Sequence, residues 1–296
     1  MLICILALLT LLGLAHWLLH RSLRAPRIAE TTAPDCFGLR FEEVRIPTER
    51  SRSLFGWLIP TARTGPAPAI IVLHGWGGNA GMMLPLAPPL HAAGYAVLMI
   101  DARNHGNSDG DTFSSMPRFA EDLSAAFAWL TIRKEIDPAR IAVLGHSVGA
   151  AAALLAASRQ PDIAAVVSIA AFAHPREMMQ RWLSSRRIPY APLGWYALHY
   201  VEWIIGHRFD QIAPIDTVTR LRSPLLLIHG EHDETVPLSD ARRILAAAGV
   251  PSRLMLTPGR HDELAALDHH YDALLRFLRN AMPEPEGSIE ATAGLD

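Results

Sequence analysis

Gly145-His146-Ser147-Val148-Gly149 decides how the rest of this chain is read. The apolar run Ile141 to Leu144 precedes it and the alanine-rich stretch Ala150 to Ala157 follows. Strand, Gly-x-Ser-x-Gly, helix is the order that turns a short pattern into a nucleophile elbow. A reversal this sharp strains the backbone at Ser147, and Gly145 and Gly149 remove the Cβ atoms that would clash where strand and helix meet. The helix begins just past the serine, so its free N–H groups and positive dipole end face Ser147. A buried serine in a glycine-lined turn is the plainer alternative, and the flanking strand and helix argue against it.

Outward from the elbow the chain alternates. Phe41 to Pro47 and Leu54 to Pro60 read as two antiparallel strands joined by a polar turn. Beyond the proline-rich loop at Gly65 to Pro68 come continuous apolar runs at Ala69–Gly75, Tyr95–Asp101, Arg140–His146, Ile163–Ala170 and Pro224–Gly230, with a shorter sixth at Ser252–Pro258. Helical patterns such as Phe119 to Ile132 and Ser239 to Ala248 lie between most of them. Such strands alternating with amphipathic helices predict an α/β fold, a mostly parallel central sheet covered by helices on both faces. One interval, about 172–222, is too long for a plain crossover and reads as a helical cap. It holds Trp182, Tyr190, Trp195, Tyr196, Tyr200, Trp203 and Phe209, most of them expected to form the cap's own core.

At the start, Met1 to Leu19 carries no charged side chain, and Arg21, Arg24 and Arg27 follow it. As a helix it would rise about 28 Å, close to a bilayer core. A cleaved signal should show a basic start and a small-residue cleavage site, and neither is clear. The expectation is a single-pass N-terminal anchor over 1–20, making the membrane a partner, with the arginines and the domain behind them in the cytoplasm. The domain organisation then reads 21–40 as a linker, 41–282 as the globular domain and 283–296 as a disordered tail.

Composition narrows the classes. The chain has 296 residues, 50% of them hydrophobic, and a formal net charge of −2, which gives no electrostatic reason to expect nucleic acid. Cys4 and Cys36 are the two cysteines, and neither a disulfide framework nor a zinc site can be built from them.

A serine hydroxyl needs a general base, and the base needs an orienting acid. On a sheet of this kind the expected chain order is Ser, acid, His. Asp233, just past the apolar run that ends at Gly230, is the acid candidate, with Glu231, Glu234 and Asp240 as competitors. His261 follows the last strand in a loop that can reach back over the sheet edge, and it is the candidate base among fourteen histidines. The oxyanion of a tetrahedral intermediate needs N–H donors, each worth about 3 kcal/mol. Val148, directly after the nucleophile, supplies one, and Trp76 in the glycine-rich His74 to Asn79 loop is the choice for the second. No metal or organic cofactor is required by this set.

Taken together, HGWGGN (His74 to Asn79), DARNHGNSD (Asp101 to Asp109), GHSVG, GEHDETVP and GRHDE resemble α/β-hydrolase serine hydrolases from about Phe41 to Met282. Within that superfamily the chain looks most like the membrane-anchored, lysophospholipase-like and serine-aminopeptidase-like branch. The resemblance implies that Asp101, Arg103, His105 and Ser108 are scaffold. Asn104 stands where the family has a glycine, and Arg260 where a small residue often precedes the histidine. The expected activity is hydrolysis of carboxylic esters or thioesters, on a small or lipid-like acyl substrate. A serine aminopeptidase is the alternative, with Glu177 and Glu202 as candidate amine-binding carboxylates, and a catalytically idle interaction module is a third class.

Overall fold

A computed structural model describes residues 2–61, 63 and 65–284. Among the described residues eight strands form one sheet: β1 (Glu42–Thr48), β2 (Arg52–Ile59), β3 (Ala67–Leu73), β4 (Ala96–Ile100), β5 (Ile136–His146), β6 (Ala165–Ile169), β7 (Leu225–Gly230) and β8 (Ser252–Thr257). Their spatial order is β1-β2-β4-β3-β5-β6-β7-β8. β1 pairs with β2 and β2 with β4 in antiparallel fashion, and every other neighbour is parallel. The parallel strands are buried on both faces, which is why they read as unbroken apolar runs. Each expected strand is present, and the α/β-hydrolase architecture stands.

The helices in chain order are α1 (Leu2–Ser22), α2 (Ala87–Ala92), α3 (Met116–Thr131), α4 (Val148–Ala157), α5 (Pro175–Ser185), α6 (Trp195–Ile205), α7 (Phe209–Ile212), α8 (Pro214–Thr217), α9 (Leu238–Ala247) and α10 (Tyr271–Ala281). One core lies between the sheet and α3, α4 and α9; a second lies on the other face against α2 and α10. Every residue of α4 from Gly149 to Ala157 is buried. A helix apolar all round belongs inside, and its alanines let it pass close beneath α3. Between β6 and β7 the chain forms α5 to α8, the interval expected as a cap.

Arg103 anchors the underside of the loop after β4. It is 1% exposed and pairs with Asp122 at 2.7 Å and Glu121 at 2.5 Å. Asp101 accepts the Asn107 N–H, and Ser108 Oγ bridges the Asp101 carbonyl and the Phe55 N–H. Asn104 adopts φ 68°, a left-handed conformation asparagine tolerates, and its side chain bonds Phe113 O and the Asp111 N–H. The departure from glycine is thereby accommodated.

The N-terminal expectation needs correction. Among the described residues no helix is long and apolar enough to cross a membrane. This overturns the single-pass anchor, its membrane partnership and the cytoplasmic placement derived from it. The physical reason lies at the end of α1. His16 Nδ1 pairs with Tyr196 Oη at 2.9 Å and His20 Nδ1 with Tyr200 Oη at 2.8 Å, so the last turns of α1 are bonded to α6. What remains, Leu2 to Ala15, rises only about 21 Å, short of a hydrocarbon core of about 30 Å. The tail expected over 283–296 lies, from residue 285, outside the described residues.

Candidate active site

The loops after β3, β5, β7 and β8 leave one edge of the sheet, because parallel strands joined by right-handed crossovers present their carboxyl ends together. Those loops carry Trp76, Ser147, Asp233 and His261 respectively. Residues remote in sequence therefore meet.

Ser147 sits between β5 and α4 with φ 53° and ψ −116°, a conformation non-glycine residues rarely hold. Its N–H donates to Ile169 O at 2.8 Å, which pins the turn to β6. A Cβ on Gly145 would collide with the Gly149 carbonyl, and one on Gly149 with the His74 carbonyl. The two glycines thus let the elbow close and let β3 pass against it.

His261 Nε2 lies 2.9 Å from Ser147 Oγ, and its Nδ1 lies 2.7 Å from Asp233 Oδ2. With Nδ1–H donating to the carboxylate, Nε2 is left to accept the serine proton. Asp233 is itself fixed: its side chain is fully buried, and Oδ1 accepts from the Thr235 N–H at 2.9 Å and the Val236 N–H at 2.8 Å. Burial pushes this carboxyl up, but the hydrogen bonds from His261, Val236 and Thr235 and the nearness of the imidazole outweigh it. The net result holds Asp233 below the ordinary carboxylate range.

The competitors lie elsewhere. Glu231 and Glu234 are exposed, and Asp240 is buried against Arg181 and the Ala173 N–H. Glu177 forms a two-pronged pair with Arg243 at 2.6 and 2.8 Å, and Glu202 accepts from Arg176 and the Phe209 N–H. Both candidate amine-binding carboxylates are therefore already matched by arginines.

Val148 is the first residue of α4, so its N–H has no partner within the helix. Gly75 lies directly against Ser147, since a Cβ there would be 3.2 Å from Ser147 Cβ. Trp76 follows it, 41% exposed, with its ring edge-on to His105 at 6.2 Å.

His146 has a part that nothing in the sequence pattern sets apart. It is buried, and its Nε2–H donates to the His261 carbonyl at 2.8 Å. Burial, then the neighbouring imidazole, lowers its pKa and keeps it neutral. The only available signal is adjacency: the residue before an elbow serine points toward whatever loop closes over it.

His146, His261 and Asp262 bring three potential ligand atoms within 4.8 Å of one another. His261 uses both ring nitrogens on Asp233 and Ser147, and His146 uses Nε2 on a carbonyl, so a metal would compete with those bonds. A cavity of about 450 Å³ lined by Glu49, Arg50, Glu121 and Arg159 lies at the far end of α4 and includes none of these residues.

A family model for the alpha/beta hydrolase fold matches residues 68–187. The uncharacterized protein Rv2307c of Mycobacterium tuberculosis is 32% identical over 241 residues, 80% of this chain and 78% of that protein. Among solved structures, the Pyrococcus furiosus esterase Pf2001 superposes with a TM-score of 0.72 at 23% identity, covering 88% of this chain and 97% of its own. A Mycobacterium tuberculosis puromycin-hydrolyzing peptidase superposes with a TM-score of 0.65 at 17% identity, covering 84% of this chain and 40% of its own. The chain belongs to the α/β-hydrolase superfamily, and it is a hydrolase.

Proposed function

We infer that the protein is a serine hydrolase that cleaves carboxylic ester or thioester bonds through an acyl-serine intermediate. The observation that carries this reading is the continuous relay Asp233–His261–Ser147, with both links at hydrogen-bond distance. In the reading, Ser147 Oγ attacks the acyl carbon while its proton passes to His261 Nε2. Asp233 stabilises the imidazolium, and the N–H groups of Val148 and Trp76 hold the carbonyl oxygen as it becomes an oxyanion. Collapse breaks the bond to the leaving alkoxide or thiolate, which takes the proton from His261. Water then repeats the sequence on the acyl-serine and releases the acid.

Small or lipid-like acyl esters suit this chemistry better than peptides. A serine aminopeptidase would need a free carboxylate for the substrate amine, and Glu177 and Glu202 are both engaged by arginines. An idle interaction module would have no use for a strained serine at hydrogen-bond distance from an oriented histidine.

The test is fluorophosphonate labelling of Ser147, followed by a chain-length series of p-nitrophenyl esters run beside aminoacyl-anilides. Labelling with ester turnover is expected. No labelling would remove the assignment, and anilide turnover exceeding ester turnover would replace it with the peptidase.

A further inference from the structure

The stretch between α1 and β1 has the composition of a tether, yet part of it is bonded closely to the loop after β3. Pro26 is seated on Gly77, where an added Cβ would meet its ring at 2.9 Å. The Arg27 guanidinium donates to Gly106 O at 3.3 Å and Ser108 O at 2.9 Å. Asn79 Nδ2 reaches Ile28 O at 3.2 Å and Ala29 O at 3.4 Å, while its Oδ1 accepts the Met82 N–H. The Gly81 N–H donates to Glu30 Oε2 at 3.0 Å, and any side chain at 81 would collide with that oxygen. Residues 26–30 are thus fastened to the loop 74–81 at three successive points.

The last fastening is unusual because it pairs two carboxyls. Asp101 already accepts the Ala80 N–H at 2.8 Å and the Asn107 N–H at 2.7 Å. The Glu30 carboxyl lies within hydrogen-bond reach of Asp101, and Glu30 Oε1 is buried with no partner among the described residues. Two acids this close share a proton more readily than they both ionise. Burial first, then the Asp101 charge, raises the Glu30 pKa to about 8, and the N–H groups of Gly81 and Ala80 pull the other way without overcoming this. The other charged or titratable groups around the pair do not compensate. Arg27 is turned to backbone carbonyls, and burial keeps His74 and His105 neutral, with pKa values lowered to about 4 and about 3.

We propose that Glu30 is a positioning residue for the oxyanion loop: its carboxyl, held between Asp101 and the Gly81 N–H, straps residues 26–30 across loop 74–81 and keeps the Trp76 N–H aimed at the reacting carbonyl. The proposal rests on reading Trp76 as an oxyanion donor. Ionisation of Glu30 sets two like charges side by side, loosens the strap and leaves the Trp76 donor unaimed, without touching Ser147 or His261.

The experiment compares the parent protein with Glu30→Gln and Glu30→Ala from about pH 6 to about 9.5. Glutamine reproduces the neutral acid, donating to Asp101 and accepting from Gly81. The parent should lose about ten-fold in kcat, with KM nearly unchanged, as pH rises past about 8. Glu30→Gln should abolish that loss, and Glu30→Ala should be about ten-fold low at every pH. In parallel, amide exchange over residues 74–81, measured as the ratio of parent to Glu30→Gln at each pH, should climb through the same range. An alkaline loss that is identical in the parent and Glu30→Gln, with a flat exchange ratio, overturns the proposal. If Glu30→Ala does not fold, the parent and the glutamine variant alone decide. If the parent neither labels with fluorophosphonate nor turns over esters, the hydrolase reading fails, and the exchange ratio still tests the strap.

Discussion

Two histidine pairs stand at the same edge of the sheet. The rings of His74 and His105 are 4.9 Å apart, and those of His146 and His261 are 5.1 Å apart. All four belong to motifs of the loops after β3, β4, β5 and β8. What separates the pairs is the partners. His74 donates through Nδ1 to Gly75 O at 2.7 Å and accepts the Ala102 N–H at Nε2, 3.1 Å away. Protonation would set Nε2–H against that N–H, and burial opposes the charge further. His105 is bonded to the Arg103 carbonyl and packs edge-on to Phe119. His261 instead has a buried carboxylate on one nitrogen and a hydroxyl on the other. An imidazole becomes a candidate base when its charged form has somewhere to be stabilised, and a brace when it does not.

The largest expected effects test the second pair. Ser147→Ala should fold normally and lose about a million-fold in ester turnover, the scale seen when a serine nucleophile is removed. A purified variant keeping a tenth of the parent rate would dissolve the distinction between the pairs. Asp233→Asn should lose about ten-thousand-fold, because an amide mistunes the imidazole without removing it. If Glu231 or Glu234 proved the sensitive position instead, Asp233 would be only a turn residue.

The first pair should report through stability. His74→Ala leaves the Ala102 N–H buried without its partner, at about 1–3 kcal/mol for an unsatisfied group, while the Gly75 carbonyl keeps the Gly78 N–H. Chemical denaturation should show that loss, and an unchanged midpoint would mean the pair braces nothing. His105→Phe is the gentler test, since the lost bond to the Arg103 carbonyl is offset by removal of Nε2, which is buried without a partner among the described residues. It should cost about 1 kcal/mol or less at neutral pH. Its acid behaviour should differ more. Burial lowers the His105 pKa from 6.5 to about 3, so over that range the unfolded chain binds a proton that the folded one refuses. Stability from this group therefore falls as pH falls below about 6.5. Asp122 and Glu30, raised to about 6 and about 8 chiefly by burial, slope the other way. The readable quantity is the difference between variant and parent, which should move in favour of His105→Phe by up to about 1.4 kcal/mol per pH unit on acidification.

How much of this was legible differs by scale. The sheet was legible because buried parallel strands carry no polar alternation, so Ala69 to Gly75 and Pro224 to Gly230 announce themselves. Ser147, Asp233 and His261 were legible through order and loop position, which the topology converts into proximity. The strap and the His146 bond were not. Both depend on where one side chain lands after folding, and neither Glu30 nor His146 sits in a spacing that implies a partner. The N-terminal helix misled for a related reason: apolarity was visible, but the pairing of His16 and His20 with tyrosines 180 residues away was not.

The smallest effect is also the sharpest for the oxyanion reading. If Trp76 contributes through its backbone N–H, then its side chain is dispensable to the chemistry of a small substrate. Trp76 is 41% exposed, and its ring approaches His105 edge-on. Trp76→Ala should therefore keep kcat for p-nitrophenyl acetate within about three-fold, since no donor is removed and a donor is worth about 3 kcal/mol. Glycine at the same position would add backbone freedom and should do worse than alanine. That order, tryptophan close to alanine and both above glycine, is what a backbone donor on a held loop requires. A collapse of kcat in Trp76→Ala with a normal melting temperature would mean that the indole itself touches the reacting group. The loop after β3 would then act through a side chain, as His261 does, and not through its backbone alone.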